Sequence, residues 1–141
     1  MGLSIKISTK SGRPLRSTLK KFAKAVERAG EQEIFREATE IFAAVEKVGR
    51  VPLKTGALRG SGHIEGPFKR GRETVIFVAY GNSFGVDYAL VRHEVEARRY
   101  TTPGTGIKYL TEPFKGFKPG MAKRVQSGIR KRVRSRGINV I

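Results

Sequence analysis

The side chains able to do chemistry are few and poorly grouped. There is no Cys, and the only two His are His63 and His93. Thiol catalysis, disulfides and thiolate zinc sites are therefore excluded together. His93-Glu94 opens like a zinc-protease helix, but that motif needs a second His four positions on, where this chain has Ala97. The glycine-rich run Gly56 to Gly62 invites comparison with a phosphate-cradling loop. It lacks the Gly-Lys-Ser/Thr ending, and no clear strand leads into it. Asp87, Glu94 and Glu96 are the best carboxylate group for holding a divalent cation beside a basic surface, the arrangement a small nuclease needs. The competing reading pairs Glu94 and Glu96 with Arg92, Arg98 or Arg99 at the surface. Ser61 and Ser83 have no spacing that nominates a base and an orienting acid. Phe77, Tyr80 and Tyr88 offer faces on which bases stack, although strand aromatics more often pair across a sheet. The residues thus predict a non-enzymatic protein with no metal and no cofactor.

Charge is the stronger compositional signal. The chain has 141 residues, with 29 Lys and Arg against 12 Asp and Glu, a net charge of +17. Residues 1 to 26 and 115 to 141 contain no acid and together supply sixteen of the excess positive charges, while the middle of the chain is nearly balanced. Such ends attract phosphate backbones through counterion release, with little sequence preference and steep salt dependence. Whether they converge on one face is open at this point. The longest apolar run, Val75 to Tyr80, is six residues, far short of the roughly 20 needed to cross a bilayer. No membrane association and no export are expected.

The length allows one ordinary domain, so residues 1–141 are read as a single domain with 134–141 a frayed basic tail. Leu3, Ile5 and Ile7 alternate with polar residues, the pattern of a half-buried strand. Leu15, Leu19, Phe22 and Val26 share one helical face. After Gly30, the residues Ile34, Ala38, Ile41, Val45 and Val48 resume the helical spacing until Gly49 and Pro52, so Gly30 marks either a kink or a break between two helices. Phe35 and Phe42 widen the apolar face of that second segment. A hairpin is expected from His63-Ile64-Glu65 and Thr74 to Tyr80 around the charged turn Lys69-Arg70-Gly71-Arg72. A turn at 81–85, a short helix from Tyr88 to Val95 and an exposed Gly/Pro/Thr loop at 97–108 follow. Pro119 begins a last helix with Met121, Val125, Ile129 and Val133 as a narrow apolar stripe in an otherwise basic segment. The expected class is α+β: helices packed on a small antiparallel β-sheet, a single domain with a long exposed loop.

Four landmarks stand in order: Val51-Pro52 followed by Lys54-Thr55-Gly56-Ala57-Leu58-Arg59-Gly60-Ser61, the strand Val75 to Tyr80, Tyr88-Ala89 with Glu94, and Tyr109-Leu110-Thr111-Glu112-Pro113-Phe114. Over roughly residues 3 to 135 this order resembles the neck and tail-completion proteins of long-tailed bacteriophages. The chain departs from that family in carrying Glu96 two residues after Glu94, where the family commonly has Gly. The resemblance implies assembly: subunits form a ring at the head-tail junction, bind the connector and the tail terminator or tail tube proteins, and let DNA pass. It implies a place in the virion after assembly in the host cytoplasm. Thr55 and Gly56 then shape a tight turn with Leu58 as its apolar anchor. Arg59 pairs either across a subunit interface or inside its own subunit, and Glu94 and Pro113 belong to the same set of interface or turn positions. Lys123, Arg124, Arg130, Lys131, Arg132 and Arg134 would face DNA or an acidic partner ring. The alternative is a ribosome-type or nucleoid-type nucleic-acid-binding protein, which the charge permits equally.

Overall fold

The computed structural model describes residues 15–48, 51, 56–81, 106 and 108–137. They form four helices and one antiparallel two-stranded sheet: α1 (Leu15–Val48), α2 (Ala57–Gly60), β1 (His63–Arg70), β2 (Glu73–Ala79), α3 (Thr111–Phe117) and α4 (Met121–Arg134). The class is α+β. The expected strand at Leu3 to Ile7, the helix from Tyr88 to Val95 and nearly all of the loop at 97–108 lie outside the described residues. No described helix is long and apolar enough to cross a membrane.

The chain divides into two compact units, one of residues 1–34 and 121–141, the other of residues 35–120. In the first, Ala29 and Val133 are buried, with Phe22, Val26 and Ile129 packed around them. Partners run in opposite order, with Ala29 grouped with Val133, Gly30 facing Ile129 and Glu33 lying over Gly128, so α1 and α4 are antiparallel here. The buried stripe of α1 starts at Phe22 rather than at Leu15. Leu15 and Leu19 keep the helical spacing but are 58% and 42% exposed.

Gly30 neither ends α1 nor separates two helices, because the helix is continuous from Leu15 to Val48. One glycine weakens a helix interior by about 1 kcal/mol relative to Ala, which the packing on either side of Gly30 outweighs. The second unit is built on α1 beyond that point. Ala38, Ile41 and Val45 are buried as their spacing predicts, and Val45 joins Val51, Leu58 and Tyr109 in a core with Tyr80 and Leu110 against it.

The hairpin is tighter than its sequence suggests. The strands extend through Lys69 and Arg70 and are joined by Gly71-Arg72 alone, with Gly71 at φ +61°, a conformation a β-branched or bulky residue resists. Pairing runs from His63 opposite Ala79 to Arg70 opposite Glu73, with an irregularity between Glu65 and Phe68. That irregularity puts Phe68 on the same face as Phe77, their ring centroids 6.1 Å apart. The final helix begins at Met121, after Gly120, and Thr111–Phe117 forms a separate short helix that the sequence left unassigned.

Candidate functional site

The glycine-rich segment after Val51 folds as a single helical turn. Gly56 caps it at φ +75°, a left-handed conformation that Gly adopts without a Cβ penalty. The Gly56 carbonyl accepts the Gly60 N–H at 2.8 Å. This geometry turns Leu58 inward, where it is buried among Val45, Val51 and Tyr109. Thr55 lies outside the described residues.

Leu58 faces the core, and Arg59, the next residue, points to α1. Its Nε donates to Glu46 Oε2 at 2.8 Å and its Nη2 donates to the Glu46 backbone carbonyl at 2.7 Å. The other carboxylate oxygen, Glu46 Oε1, accepts from the Tyr80 hydroxyl at 2.6 Å. Of the two partners open to Arg59 from the sequence, the intramolecular one is realised here. One carboxylate on α1 thus holds both the α2 turn and the residue that follows β2. Charge-assisted contacts of this kind are the stronger class of hydrogen bond.

Ser61 closes the turn. Its hydroxyl donates to the Leu58 carbonyl at 2.6 Å and accepts the Gly81 N–H at 2.9 Å, linking α2 to the end of β2. It is buried and structurally occupied. Between Ser61 and β1, Gly62 lies under two rings. A Cβ there would come within 2.6 Å of Tyr80 Cε1 and 2.8 Å of Phe42 Cε2, closer than side chains tolerate. Phe42 packs against Tyr80 at 6.0 Å, and Tyr109 meets Tyr80 edge-on at 5.5 Å and 84°. Tyr80, just past the end of β2, is thus a packing residue. Burial, then the Glu46 acceptor, raise its hydroxyl far above the usual tyrosine range, and burial pushes Tyr109 up to about 12.

His63, at the start of β1, has acceptors at both ring nitrogens: the Ser61 carbonyl at 2.7 Å from Nδ1 and Glu65 Oε1 at 2.8 Å from Nε2. A carbonyl and a carboxylate can only accept, so this geometry suits the doubly protonated ring. The Ser61 carbonyl first, and Glu65 second, raise its pKa above the ordinary value.

The remaining sequence candidates are scattered. Glu94, together with Asp87 and Glu96, lies outside the described residues, as does Tyr88. Pro113 sits half-buried in α3. In α4, Lys123, Lys131 and Arg134 are exposed, while Arg124 and Arg130 are half-buried. Arg132 is engaged within its own unit: its guanidinium pairs with Glu33, which is only 4% exposed, and reaches Gln32 Oε1 at 3.2 Å. Gly128 makes room for that carboxylate, since a Cβ there would lie 2.1 Å from Glu33 Oε2. Sequence reasoning missed Glu33 and Glu46. For each, only the distant partner, ninety-nine residues away for Arg132 and thirteen for Arg59, reveals its role.

Comparison with known proteins adds no relative. No family model matches the chain, and neither the curated proteins nor the solved structures contain a match. Any functional reading rests on the residues themselves.

Proposed function

We propose that this chain is a structural virion protein of a long-tailed bacteriophage, a subunit of an oligomeric ring at the head-tail junction that joins the connector to the tail and lets DNA pass. The observation that carries the reading is the exposed hairpin. Among the described residues the sheet has two strands and no buried strand residue. Phe68 and Phe77 stand side by side on one face at 46% and 37% exposure, with the Arg70 guanidinium 5.4 Å from the Phe77 ring centre. A two-stranded ribbon is marginal on its own in water, and exposed aromatic residues rimmed by Arg are the composition of protein-protein hot spots. A ring supplies a neighbour to cover them. The α2 turn fits the same role, since its contacts tie the hairpin's end to α1.

Imaging of the tailed particles that contain this chain tests the proposal. Ring density matching α1 and the hairpin is expected between the capsid portal and the tail, with Phe68 and Phe77 against a neighbouring subunit. Density elsewhere in the particle, or none, refutes it. The nucleic-acid-binding alternative is favoured by one observation, the excess of basic over acidic residues in the unit of residues 1–34 and 121–141. Light scattering separates the two: a ring subunit oligomerises alone or on addition of the connector, whereas a ribosome-type protein stays monomeric and binds RNA avidly.

A further inference from the structure

The unit formed by residues 1–34 and 121–141 contains fifteen basic and three acidic residues, a net +12 of the chain's +17. Its two helices carry that charge differently. The outward side of α1 mixes Lys20 and Lys24 with Glu27 and Glu31. No acid occurs anywhere from residue 113 to the end of the sequence. With Ile129 and Val133 turned towards α1, the helical period places Lys123, Ser127, Lys131 and Arg134 together on the opposite side of α4, at spacings of four, four and three. All four are exposed. At 1.5 Å per residue the stripe is about 16 Å long, roughly half a turn of duplex DNA.

We propose that this stripe of α4 binds the phosphate backbone of double-stranded DNA without reading its sequence. The inference does not depend on the ring reading. The composition of the stripe selects the ligand. Protein-protein interfaces are anchored by aromatic and large apolar side chains and are depleted in Lys. None of the large exposed apolar residues among those described belongs to α4, so an acidic protein would find charge there but no anchor. Single-stranded nucleic acid is held by stacking on aromatic rings, and α4 contains none. A backbone of regularly spaced phosphates needs neither. Lys131 and Arg134 also complement the C-terminal end of the helix dipole, but Lys123, in the first turn, gains nothing from the dipole, and its place on the stripe is accounted for by an anionic ligand. Arg132 is not part of the stripe, because the helical period turns it towards α1, where it meets Glu33.

The test uses the full chain and a fluorescently labelled 30-base-pair duplex, with affinity measured between 50 and 200 mM salt. The triple variant Lys123→Gln/Lys131→Gln/Arg134→Gln is expected to make the dependence of log affinity on log salt shallower by about 2.7, or about 0.9 per lost phosphate contact. Lys123→Arg/Lys131→Arg is expected to retain binding. A control triple with the same net charge, Lys47→Gln/Lys115→Gln/Lys118→Gln, alters exposed lysines of the other unit and is expected to change the slope by less than 1. Far-UV circular dichroism checks that each variant is folded. Equal loss in both triples would mean diffuse attraction by net charge and would overturn the proposal. So would an unchanged slope in the α4 triple, stronger competition by polyglutamate than by duplex, or tighter binding to a single strand of equal length.

Discussion

Two glycines on facing helices are expected to respond to the same substitution with opposite signs. Gly30 in α1 and Gly128 in α4 both sit in helix interiors, where replacement by Ala gains about 1 kcal/mol in helix propensity. At Gly30 the new methyl meets only Ile129 Cδ1 at 3.8 Å, an ordinary van der Waals distance. Gly30→Ala is expected to keep that gain. At Gly128 the methyl would fall 2.1 to 2.8 Å from the Glu33 carboxylate and its Cγ. A carboxylate is flexible, but Glu33 is nearly fully buried and paired with Arg132, so swinging aside breaks that pair. Breaking a fully buried pair costs about 3–5 kcal/mol. The Arg132 side chain is 41% exposed, which reduces the cost to about 2–3 kcal/mol. Net of the propensity gain, Gly128→Ala loses about 1–2 kcal/mol. At about 3 °C per kcal/mol for a chain of this size, thermal unfolding followed by circular dichroism should show Gly30→Ala rising by about 3 °C and Gly128→Ala falling by about 3–6 °C. In a Glu33→Ala background the clash is gone and Gly128→Ala should become stabilising. If both single substitutions move the midpoint upwards, Glu33 does not lie over Gly128 and the packing described for this unit is wrong.

Other expectations concern the second unit. Arg59→Ala removes two contacts to a partly exposed Glu46 and is expected to cost about 1 kcal/mol. Its effect should not add to that of Tyr80→Phe in urea unfolding, because both act on one carboxylate. Gly62→Ala drives a methyl into Tyr80 and Phe42 and should lose about 1–3 kcal/mol by overpacking, with a lower urea midpoint as the readout. Tyr109 has a folded pKa raised to about 12, so the stability it contributes is complete below about 10 and disappears as pH rises from there through about 12. A difference titration at 295 nm against Tyr109→Phe should show one late component. The raised pKa of His63 means its contribution is complete below about 6.5 and lost as pH rises through the folded value. Nuclear magnetic resonance titration of Glu65→Gln should show the pKa fall only part of the way back, since the Ser61 carbonyl remains.

Periodicity made much of this architecture readable in advance. Ala38, Ile41 and Val45 on α1, and Ile129 and Val133 on α4, pack where a 3.6-residue repeat puts them. The turn of the hairpin was legible at Gly71, but the strand ends were not, because Lys69 and Arg70 read as turn residues yet pair as strand. Exposure of Leu15 and Leu19 was invisible for a related reason: a repeat says which residues share a side, not how far the partner helix extends along it. The α2 anchor was visible as a Thr-Gly-x-Leu-Arg pattern. Its holding contacts to Glu46 were not, since an acid on a helix looks like a solvent-facing position until its partner is known. That segments as far apart as residues 1–34 and 121–141 belong to one unit was likewise hidden, because charge sums carry no information on which segments fold together.

The proposed assembly role is tested most directly by removing the chain from the long-tailed phage that, on this proposal, encodes it, and counting particles by electron microscopy. Filled heads without tails, and tails unattached to heads, are expected, with joining restored when the chain is supplied in trans. Normal yields of tailed, infectious particles in its absence would contradict the account.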